Sequence, residues 1–330
     1  MNMFKSAILY RIAAAWEMSA VASIENALDS ARFSHCGPTQ AESFGWVEPR
    51  GQKHGALIEK IGDHFIFALQ SEVRSVPASA IKEAMEARVA AILEQTGRKP
   101  GAKEKKDIKE ELTLELLPRA FTKTSVTKVW LDPKNKMIVV GAGSISKADK
   151  VISALVDAFG AGGDGIALAL IGTNTSPSTA MSAWLVSQEP PYAFTVDREC
   201  QLKAPDESKS TVSYSHHTLE IDEVVEHIRH GKVATQLAMT WNSRVSFVLT
   251  DTMLLKKIEF LDVVLEGVTK GKGAEDNFDA DVAIATGELS SLIPDLLIAL
   301  DGEMLSEQVE TKDHTETTQA TVETKELAEV

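Results

Sequence analysis

Two stretches of strict two-residue periodicity constrain this chain more than any other feature in it. Val233, Thr235, Leu237, Met239 and Trp241 stand on alternate positions, and Val245, Phe247 and Leu249 do so again beyond the Asn242-Ser243 turn. Successive side chains of a strand point to opposite faces, so the pattern predicts a hairpin with one buried face. Thr122 to Leu131 and Met137 to Val140, joined by the turn from Asp132 to Lys136, predict a second hairpin.

Helical spacing appears beside these strands. A strand over Met3 to Ile12 is followed by Val21, Ile24 and Leu28 at helical intervals, which predicts a β-α start. Ile81, Met85, Val89 and Ile92 mark a helix running from near Ser79 to a stop at Gly97. A charged helix over Lys103 to Leu117 ends at Pro118, because proline disfavours helical geometry in the residue before it. Ser146 with Asp149 reads as a capping box opening a helix with Ile152, Leu155, Val156 and Phe159 on its apolar face. Ile221, Val224, Val225 and Ile228 predict a helix stopped by Gly231. Asp281 to Ala285 reads as a short buried strand, followed by a helix with Leu289, Leu292, Ile293, Leu296 and Leu300, started or kinked at Pro294. Hairpins with helices laid beside them predict an α+β fold with largely antiparallel sheets, and they argue against a Rossmann alternation.

The 330 residues exceed a usual single domain, and four regions are expected. These are an N-terminal α+β region over 1–78, a charged helical segment over 79–120, an α+β region with two hairpins over 121–300, and a disordered tail over 301–330. The tail prediction rests on charge. It carries 2 basic and 9 acidic side chains and no aromatic residue, too little apolar surface to offset its ordering entropy. The whole chain carries 34 basic and 48 acidic residues, a net charge of -14, which at face value argues against a polyanionic partner. Residues 98–136 run the other way, with 11 basic against 6 acidic side chains. Arg98, Lys99, Lys103, Lys105, Lys106 and Lys109 crowd together there, followed by Arg119, Lys123 and Lys128 around Phe121. Such residues contact phosphates and release counterions, giving salt-sensitive, sequence-independent DNA affinity. Glu104, Asp107, Glu110 and Glu111 interleave with the lysines at i, i+3 and i+4, so a solvated, self-neutralised helix is the competing account.

Other chemistry is weakly signalled. Gly160 to Gly165 lacks the Lys-Ser/Thr of a P-loop and follows a helix, which makes it a flexible loop. His216, His217, His227 and His230 lack a carboxylate or cysteine that would complete a ligand set, so no metal and no cofactor is expected. Glu275, Asp276, Asp279, Asp281 and Glu288 could hold Mg²⁺ for phosphodiester cleavage, but they fall in one loop and strand edge where two-metal sites draw on separate elements. Cys36 and Cys200 form neither a disulfide framework nor metal spacing. No stretch approaches 18 uncharged apolar residues, and Arg11 interrupts any signal-peptide core, so a cytoplasmic protein without membrane contact is expected. No catalytic constellation stands out, which predicts a protein that is not an enzyme.

Five motifs, in order, carry a resemblance: the opening Phe4-Lys-Ser-Ala-Ile-Leu-Tyr-Arg11, Gly45-Trp-Val-Glu-Pro49, Leu116-Leu-Pro-Arg-Ala-Phe121, Phe278-Asp-Ala-Asp281 and Thr286-Gly-Glu-Leu289. Together they resemble the bacterial recombination-associated protein RdgC family over roughly residues 1–300, with the acidic tail outside the shared region. The resemblance implies a non-enzymatic, nucleoid-associated protein that forms a ring-shaped homodimer with a basic channel for duplex DNA and restrains RecA by occupying DNA. Whether single strands bind as well is left open. On this reading the two charged helices form a projecting arm, two arms close the ring, and Phe121 is the candidate apolar contact at that closure. A buried core position for Phe121 remains the alternative. A metal-dependent nuclease and a DNA-independent interaction scaffold are the rival functions.

Overall fold

The computed structural model describes residues 3–304 except 19, 164 and 267–273, with the side chains of 274–276 also outside the description. In chain order the elements are β1 (Ser6–Ile12), α1 (Val21–Ser30), β2 (Glu42–Val47), β3 (Glu59–Ile61), β4 (His64–Arg74), α2 (Ala78–Thr96), α3 (Ala102–Leu116), β5 (Thr122–Asp132), β6 (Met137–Val140) and α4 (Ile145–Ala161). There follow β7 (Leu168–Leu170), α5 (Pro177–Ser187), β8 (Phe194–Lys203), β9 (Thr211–Ser215), α6 (Asp222–Arg229), β10 (Val233–Trp241), β11 (Val245–Thr250), β12 (Leu255–Phe260), α7 (Asp262–Leu265) and α8 (Ala274–Ala299).

The strands join one sheet in the order β2-β4-β5-β6-β1-β12-β11-β10-β8-β9, with β3 beside β4 and β7 beside β1. Every strand pairing is antiparallel. β1 is the seam. One of its edges pairs with β6 from Ile8↔Val140 to Arg11↔Met137. Its other edge is shared by β12, at Ser6 and Ala7, and β7, from Tyr10 to Ile12.

Alternation assigns the two sheet faces to two cores. Ala7, Leu9, Ile66, Trp130 and Val139 face a core closed by α5, α6 and α8. Ile8, Tyr10, Phe67, Val129 and Val140 face a second core closed by α1 and α4, through Ile24, Leu28, Val151, Leu155 and Phe159. β1 is therefore buried on both sides, which is why its sequence is a continuous apolar run without alternation. β10 and β11 turn Leu237, Met239, Trp241, Val245, Phe247 and Leu249 into the first core; Ala238, Val248 and Thr250 are buried on the other face, and at the start of β10 Ala234 enters the core in place of Val233 and Thr235, where the pairing with β8 shifts register.

The expected fold class and both hairpins are present. Asn242 and Ser243 have φ of 45° and 54°, the geometry of a type I′ turn whose twist matches the strands it joins. Three local expectations are corrected. The segment Asp281 to Ala285 is not a strand but part of α8, because Val282 and Ala285 continue the stripe of Leu289, Leu292, Ile293 and Leu296 at helical spacing. Pro294 lies inside that helix and does not start it. The cap of α4 is Ser144, whose Oγ accepts from the Lys147 N–H, and not Ser146. Residues 277–299 are long and apolar enough to cross a bilayer. Here their apolar stripe is buried against the sheet, and Trp241 Nε1 donates to Asp295 Oδ2 at 2.8 Å.

Of the predicted tail, residues 301–304 are packed: Met304 N–H bonds Gly172 O, and Arg11 Nε donates to Glu303 Oε1 at 2.9 Å. Residues 305–330 lie outside the described residues. At the β2 edge of the sheet, residues 31–33 run beside β2, with Phe33 N–H bonded to Trp46 O and Trp46 N–H to Ala31 O. A side chain on Gly45 would sit 2.5 Å from the Phe33 backbone. Because that neighbour is main chain and cannot rotate away, Gly45→Ala is expected to cost at least about 1–3 kcal/mol in urea unfolding. A loss below about 0.5 kcal/mol would contradict the close approach.

Candidate nucleic-acid interface

The basic segment lies on a helical hairpin inserted between β4 and β5. α2 ends where expected: Gly97 adopts φ 69°, and its N–H bonds Leu93 O. α3 starts after Gly101, whose carbonyl accepts from Lys105 N–H at 2.9 Å. Arg98 Nη1 reaches Glu104 Oε2 at 2.8 Å and ties the connection to the first turn of α3. The stripe Ile81, Met85, Val89 and Ile92 is only half-buried, and no residue of α2 is fully buried. α3 buries Ile108 and Leu112. Arg88 of α2 pairs with Glu111 and Glu115 of α3 at 3.8 and 3.3 Å.

Helical geometry sorts the charges of α3. At about 100° per residue, Lys105, Lys109 and Lys106 fall within an arc of about 100° on one side of the Ile108–Leu112 stripe. Asp107, Glu104, Glu111 and Glu115 fall on the other side, where Arg88 meets the last two, and Glu110 and Lys103 lie between Lys106 and Asp107, away from the buried stripe. The self-neutralisation anticipated from sequence spacing is confined to one weak contact, Lys106 with Glu110 at 3.9 Å, both exposed. Lys99, Lys103, Lys105 and Lys109 are exposed and have no ion-pair partner among the described residues. One flank of α3 is thus a row of solvated ammonium groups, and the other is acidic.

The remaining candidates divide. Arg119 is exposed in the 3-10 turn Leu117–Arg119 that follows α3. Phe121 is 90% exposed, which removes the alternative of a core position within this chain. Lys123 and Lys128 both lie on β5, but five residues apart, so they point to opposite faces of the sheet. Lys123 is exposed. Lys128 is half-buried with Nζ 5.1 Å from the centre of the Phe278 ring, and burial lowers its pKa against the opposing pull of Asp281. Lys128 therefore stands apart from the solvated lysines, stacked under α8.

Arg74 and Glu72, at the end of β4, anchor the base of this hairpin and were not singled out in the sequence. Arg74 Nη1 donates to Pro118 O at 3.2 Å, and Nη2 to Cys36 O at 3.3 Å. The buried Glu72 carboxylate sits 2.7 Å from His35 Nδ1 and accepts from Cys36 N–H at 3.1 Å. These bonds, that to His35 foremost, hold its pKa below the ordinary 4.5. A carboxyl depressed on folding stabilises the fold above its unfolded pKa and loses that stabilisation as pH falls through the folded value. Glu72→Gln is therefore expected to shrink the loss of stability on going from about pH 6 to about pH 3, read from urea midpoints. An acid limb identical in parent and variant would contradict this coupling.

Two of the five carboxylates considered for a metal are engaged in ion pairs. Asp279 pairs with Arg50 at 2.7 Å, and Glu288 accepts from Arg244 at 2.8 Å. The side chains of Glu275 and Asp276 lie outside the description. Among the described residues, no three His, Cys, Asp or Glu side chains converge as a metal site would require.

The family model described as "Putative exonuclease, RdgC" matches residues 2–303. The chain is 41% identical over 302 residues to "Recombination-associated protein RdgC" of Janthinobacterium sp. (strain Marseille), covering 91% of this chain and 98% of that relative. It is 41% identical over 306 residues to the protein of the same name from Dechloromonas aromatica (strain RCB), at 92% and 98% coverage. A third relative of that name, from Bordetella pertussis, is 37% identical over 303 residues, at 91% and 98% coverage.

Proposed function

Since the chain belongs to the RdgC family of recombination-associated proteins, we propose that it binds duplex DNA through its backbone, without sequence preference, to modulate recombination. The observation that carries this reading is the one-sided basic flank of α3, on which Lys105 and Lys109 have no ion-pair partner among the described residues and Lys106 has only a weak exposed contact with Glu110. Phosphate contacts from such a flank set affinity and position but do not read bases. The net charge of -14 is no obstacle, because the acidic surface elsewhere disfavours DNA and confines it to this flank.

The finer reading follows the family resemblance. Two copies form a ring around the duplex, α2 and α3 projecting as arms, with the exposed Phe121 at the closure and the α3 lysines lining the channel. Occupying the duplex in this way restrains RecA-promoted strand exchange, in the cytoplasm and on the nucleoid. The activity needs no cofactor and no catalysis.

A titration of random-sequence duplex across a salt series tests the reading. Log affinity is expected to fall linearly with log salt, equally for different sequences. Affinity independent of salt would overturn it. The description "Putative exonuclease" motivates one second reading, and the same complexes incubated with Mg²⁺ decide it. Shortening of the duplex, lost in Asp279→Asn, would favour the nuclease; intact duplex is expected.

A further inference from the structure

Beyond the hairpin, the same sheet carries a groove that linear sequence does not reveal. Residues of β2, β4 and β5 face the first turns of α4 across an open groove of about 320 Å³. Phe44 lines it and is 51% exposed, an aromatic face presented to solvent. Ser71 and Ser125 stand in register on β4 and β5, their hydroxyls 3.0 Å apart, and Lys147 Nζ donates to Ser125 Oγ at 3.2 Å. A second open depression of about 290 Å³, between α1 and α4, continues from the first by sharing Phe44 and Leu69.

The charge around the groove is unbalanced. Glu42 is the one carboxylate lining it, and it is held by Lys150 at 2.6 Å. Lys147 has no carboxylate partner among the described residues, and its ammonium is disfavoured by burial and by the nearby charge of Lys123. Two like charges beside hydroxyl groups and an uncovered aromatic ring match a phosphodiester with an exposed base. Duplex bases are already stacked on one another, whereas an unpaired base has a free face for Phe44.

We propose that this groove binds single-stranded nucleic acid, Phe44 stacking one base and Lys147, with Lys123, holding the neighbouring phosphate. The continuation of the groove past Phe44 into the second depression, lined mostly by small and apolar residues with Asp157, leaves room for a neighbouring nucleotide's base and so suits a strand over a mononucleotide. This rests on the reading that the chain binds nucleic acid, but it uses a surface distinct from the α3 flank.

The test uses a ten-residue oligothymidylate and a duplex, each titrated against the full chain and three variants. Phe44→Ala and Lys147→Gln are each expected to weaken oligothymidylate about tenfold and to leave duplex affinity near parental. Phe44→Trp is expected to retain oligothymidylate and to add fluorescence that the bound base quenches, which also reports a folded groove. Oligothymidylate affinity unchanged by both Phe44→Ala and Lys147→Gln would overturn the proposal. So would polyglutamate binding as tightly as oligothymidylate with the same response to Phe44→Ala, since that marks an acidic-peptide site. Duplex binding without oligothymidylate binding defeats the groove alone; loss of both ligands in the parent defeats the DNA reading itself.

Discussion

Replacing Lys105, Lys106 and Lys109, the lysines of the basic flank, by glutamine is expected to reduce the slope of log affinity against log salt by about 2 to 3, at about 0.9 for each phosphate no longer neutralised. Duplex affinity at low salt should fall more than about a hundredfold, because counterion release contributes most when counterions are scarce. The side chains project from exposed positions of α3 and contribute little to its packing, which Ile108 and Leu112 supply. Thermal stability should therefore stay near parental, separating a binding loss from a folding loss. Lys209, in the exposed β8–β9 connection, is the control: its replacement should alter the slope by less than about one. A slope unchanged by the threefold variant would place the DNA surface away from α3.

The second large effect concerns Phe121. An aromatic ring 90% exposed at the foot of a helical hairpin is unusual for an isolated surface and ordinary for an interface anchor. Truncating such an anchor typically costs roughly 2–4 kcal/mol of association, or about 30-fold to 1,000-fold in the dimer dissociation constant. Phe121→Ala should thus shift the mass distribution in sedimentation from dimer towards monomer at micromolar concentration. The unfolding midpoint should hold, because the ring buries almost nothing within its own chain. Retention on DNA should drop together with the dimer. A dimer of unchanged affinity would remove Phe121 from the closure.

What could be read in the sequence follows which faces are buried. β10 and β11 send their large apolar side chains to one core, and the alternation reads from those; β1, which sends large apolar side chains to both cores, reads as an unbroken apolar run. α8 reads as two pieces because Asp281 to Ala285 is a short apolar run on its own, while its continuity depends on a stripe that spans both pieces. The hairpin of α2 and α3 was legible from Gly97, Gly101 and Pro118. The basic segment was legible as a density of charge, but its function depends on a face. Spacing alone suggested cancellation by Glu104, Asp107, Glu110 and Glu111; Glu110 does meet Lys106, whereas helical geometry puts the other three across the buried stripe and gives Glu111 to Arg88. Strand parity separated Lys128 from Lys123, although five residues of sequence joined them. Lys147 and Phe44 had no linear signal, because the sheet register alone brings β2, β5 and the start of α4 together.

Encirclement is the most demanding part of the account, and topology tests it directly. Complexes formed at low salt on closed circular duplex and on the same duplex linearised are challenged with a jump to high salt, and bound protein is followed in time. A ring released from phosphate contacts can slide off a free end but stays threaded on a circle. The account predicts rapid loss from the linear form, persistence on the circle, and release from the circle once a restriction enzyme cuts it. Equal loss from both forms would contradict encirclement and leave α3 as an open binding surface.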